Sequence, residues 1–382
     1  MKTKVLSDEE RLQKLLSANN PEERNKWPLE WKKQGKKVIG MIDYYVPEEI
    51  VCAAGMLPWK VTGTWQPATP LAVEYRPVNV DVACNHILES LLRGEYDFLD
   101  GVIFTDWDDD IRRLYDVFEF LKRIPFTRII HVPRNSNELA YRYYERSLGR
   151  LQTELGELGQ VGISDSSLHQ AIQLCGTTRA LLRKVYEFRK KDIPPLTGEE
   201  NLKLTTASLV MPKGIFNKEL SDLLPYLEER KAPIKQSQVR LLVSGERIDH
   251  PGYVELIEKA GAIVAMDDID IGSRQVWTVV KSNGNPLYDL AKSYIRRPAC
   301  PRMTEYEMQL NQVIEWVKEY KIDGVLNFPH MYGFSRLYVV PHFKKMLDEA
   351  GIPVATFLRE YHLANQGQLM TRIGAFVEML KK

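Results

Sequence analysis

The sequence predicts an α/β chain of two doubly wound lobes, each built on a parallel sheet. Three observations carry that expectation. Short apolar runs of strand length alternate with amphipathic stretches of helix length. No hairpin signature joins the runs, so neighbouring strands need right-handed crossovers. The order of the pieces occurs twice, which indicates an internal duplication.

The first copy opens with basic residues and the strand KKVIGMID (36–43), followed by a loop and the helical stretch PEEIVCAAGMLP (47–58). The second reads VRLLVSGERIDHPGYVELIEKAGAIVAMDD (239–268), again strand, loop, helix ending at Ala-Gly, then strand. Further along, EYDFLDGVIFTDWDDD (95–110) answers EYKIDGVLNFPHMYGF (319–334). Each holds an amphipathic helix, an Asp-Gly turn, a buried strand and a polar cluster. FTRIIHVPRN (126–135) and GIPVATFLREYH (351–362) add one strand apiece. Between the copies, RYYERSLGRLQTELGELG (142–159) and SSLHQAIQLCGTTRALLRKVYEFRKK (166–191) have helical periodicity. DIPPLTGEEN (192–201) interrupts it as a connector, and TRIGAFVEMLKK (371–382) reads as a closing amphipathic helix. The expected division is 1–134 for an N-terminal helix and the first lobe, of Rossmann or flavodoxin type. Residues 135–236 form a helical connector, and 237–382 the second lobe with its closing helix.

Composition removes several function classes. Lys and Arg total 52 against 51 Asp and Glu in 382 residues, so no net field draws nucleic acid or an anionic membrane. No apolar run reaches the roughly 20 residues that span a bilayer. The start, MKTKVLSDEERLQKLL, is charged and amphipathic, unlike a secretion signal, and a cytoplasmic location is expected. Cys52, Cys84, Cys175 and Cys300 are scattered, with no CxxC pair, and read as buried apolar thiols rather than ligands or disulfides.

Ligands in open α/β sheets bind beyond the carboxyl ends of the strands. That rule selects 43–49, 105–110, 245–250, 267–274, 327–334 and 360–362. None of these turns carries GxGxxG or GxxxxGK[ST], so no nucleotide is expected. Asp106, Asp108, Asp109 and Asp110 crowd one strand-to-helix turn, where they could hold a hard cation or cap the helix whose stripe is Ile111, Leu114, Phe118 and Leu121. Asp81 and Cys84 lie one turn apart; Val80, Cys84, Ile87, Leu88 and Leu91 form an apolar face, which makes Cys84 a core residue and Asp81 an N-cap. Asn327, His330 and Tyr332 follow the strand DGVLNF, at the counterpart of the Asp cluster, either as site residues or as surface loop. Asp267, Asp268 and Arg274 also follow a strand; the arginine could bind phosphate or carboxylate, or pair internally with an aspartate to fix the loop.

The segment VIGMIDYYVPEEIVCAAGMLPWKVTG (38–63) resembles the opening of the 2-hydroxyacyl-CoA dehydratase and benzoyl-CoA reductase family. That opening runs strand, Tyr-x-Pro-x-Glu, Ala-Ala-Gly-Met-x-Pro, here Tyr45, Pro47, Glu49, Ala53, Ala54, Gly55, Met56 and Pro58. The resemblance, to the smaller subunit, continues through ESLLRGEYDFLDGVIF, DDIRRLY, AMDDIDIGSRQ, KIDGVL and QLMTRIGAFVEML. It implies two related subunits of two α/β lobes, each holding a [4Fe-4S] cluster through three cysteines. It further implies a separate ATP-dependent activator that injects a low-potential electron. Dehydratases of the family expel a 2-hydroxyl group through a ketyl radical; the reductases reduce an aromatic ring.

Against that pattern, the family's first cysteine falls on Asp81, the second on Asp108 and the third near Tyr332 or Gly333. Carboxylates are hard donors and suit iron–sulfur clusters poorly. The chain is therefore expected to be the subunit of an acyl-CoA dehydratase or reductase that lacks its own standard cluster. A homologous cluster-bearing subunit would complete a heterodimer, with the activator and an acyl-CoA substrate as further partners. Glu49 and His330 are the expected acid/base residues, and Tyr45, Asp268, Arg274, Asn327 and Tyr332 the expected substrate contacts. Asp81 and Asp108 mark the replaced ligands, with Cys84 the nearest remaining thiol. Two alternatives stand beside this reading: a mononuclear metal or small-ligand binder using Asp106–Asp110 and His330, and a structural partner of a cluster-bearing subunit.

Overall fold

The computed structural model describes residues 6–106, 108–234, 238–282, 284–298 and 300–381; the expected boundary between connector and second lobe, at 236–237, lies outside them. Two four-stranded, all-parallel sheets organise the chain. The first contains β1 (Val38–Met41), β2 (Leu57–Lys60), β3 (Gly101–Thr105) and β4 (Phe126–Ile130), in the order β2-β1-β3-β4. The second contains β5 (Val239–Gly245), β6 (Ala262–Asp268), β7 (Gly324–Phe328) and β8 (Val354–Thr356), in the order β6-β5-β7-β8. The two orders are the same, strand for strand, as the repeated motifs lead one to expect. All residues of β1, β2, β3, β5, β6 and β7 are buried, which explains continuous apolar runs rather than alternation.

The helices between the sheets cover both of them. Glu138–Gly159 packs on β4 and on Pro286–Ile295, Asp165–Phe188 packs on Glu48–Ala53 and Lys213–Glu229, and Gly198–Ala207 packs on β6 and on Gly252–Lys259. The N-terminal helix Asp8–Leu16 lies across Gly198–Ala207 and Lys213–Glu229, where Arg11 pairs with Glu219 and Asp222 at 3.1 Å. Its capping box, Ser7 with Glu10, fixes where it starts. One apolar core runs through Val38 and Val102 of the first sheet, Leu204 and Phe216 of the intervening helices, and Leu242 and Val325 of the second sheet. The closing helix, Gln366–Leu380, buries Ile373, Phe376 and Val377 against the second sheet. No described helix is long and apolar enough to cross a membrane.

In each sheet the chain turns one way from the first strand and the other way from its inner neighbour, so a switch point lies between β1 and β3 and another between β5 and β7. Such points leave a crevice beyond the strands' carboxyl ends. At the second, β5 and β7 approach closely: a Cβ on Gly245 would meet the Phe328 carbonyl oxygen at 2.6 Å, so only glycine fits.

Candidate functional site: two facing switch points

The two crevices open onto one pocket. Ile42, after β1, and Asp108, after β3, line it from the first lobe; Glu246 and Arg247, after β5, and His330, after β7, line it from the second. Asp81, Ala83 and Cys84, at the start of helix Val82–Leu92, close one side, and Asp270, Arg274 and Arg302 another. The cavity holds about 60 Å³, space for a few waters.

At its centre is an imidazole between two carboxylates. His330 Nδ1 lies 3.1 Å from Asp81 Oδ1 and 3.8 Å from Glu246 Oε2, and its backbone N–H donates to the same Glu246 oxygen at 2.9 Å. On the far edge of the ring, Nε2 lies 3.1 Å from the Arg247 carbonyl oxygen, with Arg359 alongside. Burial by itself raises the Asp81 carboxyl, but His330, the Ala83 N–H and Arg302 outweigh it and hold the pKa at about 2. Glu246 goes the other way: burial, reinforced by the nearby Asp81 charge, pushes it up to about 7 despite His330. Around these three, each arginine of the wall has a carboxylate outside the group. Arg302 pairs with Asp108, Arg247 approaches Asp270 at 3.6 Å, and Arg274 grips Asp268 at 2.8 Å.

Residues 43–380 match the family described as 2-hydroxyglutaryl-CoA dehydratase, D-component. The chain belongs to that family. Among its curated relatives are the (R)-phenyllactyl-CoA dehydratase beta subunit of Clostridium sporogenes, 28% identical over 91% of this chain and 92% of the relative, and the (R)-2-hydroxyglutaryl-CoA dehydratase subunit beta of Acidaminococcus fermentans, 26% identical over 92% and 94%. A benzoyl-CoA reductase subunit of Thauera aromatica is 24% identical over 92% of this chain and 93% of the relative.

The residues at the pocket do not fit a cubane cluster of the kind the family resemblance implies. Cys84 is the one cysteine among the described residues lining it. Burial, and then the Asp81 charge, push its thiol well above the usual range, and one thiol does not supply the three thiolates that such a cluster takes from its chain. Cys52 and Cys175 lie together elsewhere, their sulfurs 3.9 Å apart, and Cys300 is buried beside Tyr45.

The other residues singled out by sequence have specific places. Asp108 both caps helix Asp109–Leu121, through the N–H groups of Asp110 and Ile111, and reaches the pocket. Its neighbours disperse: Asp106 holds His131 at 2.7 Å and the Val132 N–H at 2.8 Å, Asp110 holds Arg76 at 3.2 Å, and Asp109 is exposed beside Arg113. The four carboxylates therefore do not converge. Glu49 is fully buried away from the pocket, 2.7 Å from both Arg179 and the Tyr294 hydroxyl. Tyr45 is likewise buried, packed on Tyr44, with its carbonyl taking the Tyr144 hydroxyl at 2.6 Å. Asp268 accepts Ser244 and Gln309, both at 2.7 Å, as well as Arg274, so the loop-fixing pair is present while Arg274 also lines the pocket. Asn327 orients Arg336 at 2.9 Å. Tyr332, at φ +62°, packs beside Val82, Ala83 and Tyr361 next to His330. Sequence reasoning missed Glu246, Asp270 and Arg302. Glu246 lies in a strand-end stretch the crevice rule had selected; Arg302, in RRPACPRM, carries no pattern that points to a site.

Proposed function

We propose that this chain is the smaller, beta-type subunit of a 2-hydroxyacyl-CoA dehydratase or benzoyl-CoA reductase-type assembly, and that it works without a standard iron–sulfur cluster of its own. The observation that carries this reading is the pocket itself. Asp81, Asp108 and the His330 loop stand where the family resemblance implies thiolate ligands, and they meet at facing switch points. In this reading a homologous partner subunit holds the cluster, an ATP-dependent activator supplies it with electrons, and an acyl-CoA is the substrate. This chain contributes the charge and shape of the pocket: Arg274 and Arg302, each paired with a carboxylate, give one wall of it guanidinium groups suited to a thioester or carboxylate oxygen, and Asp81 fixes the ring of His330. Glu49, locked with Arg179, holds the first lobe to the central helix rather than moving a proton.

The test is anaerobic affinity purification of the tagged chain from its native host. A cluster-bearing homologue of similar length should accompany it, with acyl-CoA dehydratase or reductase activity in the pair and none in the isolated chain. Recovery of a monomer or homodimer with complete activity would contradict the reading.

A further inference from the structure

We infer that Asp81, Glu246 and His330 form a binding site for a single divalent transition-metal ion, Zn²⁺, Mn²⁺ or Fe²⁺, in the place where relatives are expected to carry cysteine ligands. One ligand atom from each residue lies within 4.8 Å of the others, a grouping drawn from three separate parts of the chain. Neighbouring ligands of an ion bound at about 2.1 Å stand roughly 3.0–3.5 Å apart. The Nδ1 to Asp81 distance of 3.1 Å is already in that range, and the 3.8 Å to Glu246 needs only a small side-chain adjustment.

Two further features support an ion here over a plain hydrogen-bonded cluster. The first is the back of the imidazole. Nε2 is taken up on the far edge of the ring, 3.1 Å from the Arg247 carbonyl oxygen and beside the Arg359 guanidinium, so Nδ1 is the ring nitrogen that faces the two carboxylates. His330 is itself 1% exposed, so this orientation is fixed by packing. The second is the fit of Glu246 to Gly333. A Cβ at Gly333 would sit 2.5 Å from Glu246 Oε2. With no side chain at 333, the Glu246 carboxylate occupies that space as it now stands, beside a position where the family resemblance implies a cysteine at 332 or 333.

One imidazole and two carboxylates suit Zn²⁺, Fe²⁺ or Mn²⁺ and discriminate against iron–sulfur and Cu(I). Three protein ligands leave the remaining positions open to the cavity, for water or a ligand oxygen. The arginines of the wall are engaged by Asp108, Asp268 and Asp270, while Arg336 stands behind the triad on Ser244 and Asn327, and Arg359 on backbone carbonyls and the Nε2 edge of His330.

The site stands on this chain's own residues, so its test needs neither partner nor acyl-CoA and is separate from the functional reading above. The full chain, stripped by chelator, is titrated with Mn²⁺ followed by electron paramagnetic resonance and with Zn²⁺ followed by calorimetry. One ion per chain is expected. Glu246→Gln, which keeps the shape and the acceptor for the His330 N–H, and Asp81→Asn should each weaken it at least tenfold. His131→Ala, which removes the exposed pair with Asp106, should leave it unchanged. Absence of saturable binding, equal affinity in Glu246→Gln and Asp81→Asn to that of the unaltered chain, or loss of the ion in His131→Ala would each overturn the site. Glu246→Gln preserves packing, so a failure of other variants to fold leaves the question answerable.

Discussion

The loops after β3 and β7 occupy equivalent positions in sheets of one topology, yet they handle charge in opposite ways. After β3, three of the four carboxylates have partners in their own lobe, Asp106 with His131, Asp109 with Arg113 and Asp110 with Arg76, and Asp108 divides itself between its helix N-terminus and Arg302 at the pocket. After β7, helix Phe334–Glu349 begins at Gly333 with no side-chain cap, and His330 turns instead to Asp81 and Glu246 across the pocket. A duplicated framework thus fixes where the loops point, while a few side chains decide whether a loop stabilises its own lobe or equips the shared crevice.

That contrast can be broken by substitution, beginning where a built-in cation is most deeply committed. Arg179 bonds Glu48 at 3.0 Å and Glu49 at 2.7 Å with 4% of its side chain exposed. Arg179→Ala strands the buried Glu49 carboxylate, while Glu48 keeps Lys213 at 2.7 Å, and should cost about 3–5 kcal/mol in urea denaturation. A loss under about 1 kcal/mol would show that the first lobe's carboxylates do not depend on their arginine, and would reopen Glu49 as an acid/base group. Next comes Lys60, at the seam of the lobes, whose Nζ is buried without a hydrogen-bond partner among the described residues. Burial first, and Arg247 second, bring its pKa down to about 7. Between about pH 7 and 10 the unfolded chain therefore binds a proton that the folded chain has shed, so stability rises with pH, by on the order of 3 kcal/mol. Lys60→Met should abolish that rise, and a slope identical in the variant would place its source elsewhere.

Asp108→Ala should cost about 2–3 kcal/mol, from the lost cap and from Arg302 left with only 12% of its side chain exposed. In the reconstituted pair it should lower activity as well; a melting shift with full activity would return Asp108 to capping alone. The smallest effect belongs to Asp109→Ala, whose side chain is 79% exposed: within about 0.5 kcal/mol and without change in activity. A larger change would mean that the Asp cluster acts as a unit.

The framework was legible because buried parallel strands write themselves as unbroken apolar runs, such as VIGM and GVLNF, and because the order of elements recurs. The helical stretches after residue 135 were equally clear, but their periodicity could not reveal that they cover both sheets. At the pocket, Asp81, Asp108 and His330 could be named from position, since strand ends and helix starts are the places a crevice exposes. Glu246 could not, because a lone loop carboxylate has no spacing to recognise and its meaning lies in a glycine 87 positions away, Gly333. Glu49 shows the converse: a motif position says nothing about which way the side chain turns, and here it turns to Arg179 and Tyr294.

The central claim is that carboxylate and imidazole groups have replaced thiolates between the lobes. Iron and acid-labile sulfide, measured on the full chain expressed alone and purified without oxygen, test it most directly. The account calls for a colourless protein with no labile sulfide. About four irons and four sulfides per chain, with broad visible absorption, would contradict it and place Cys84 or Cys300 among the ligands.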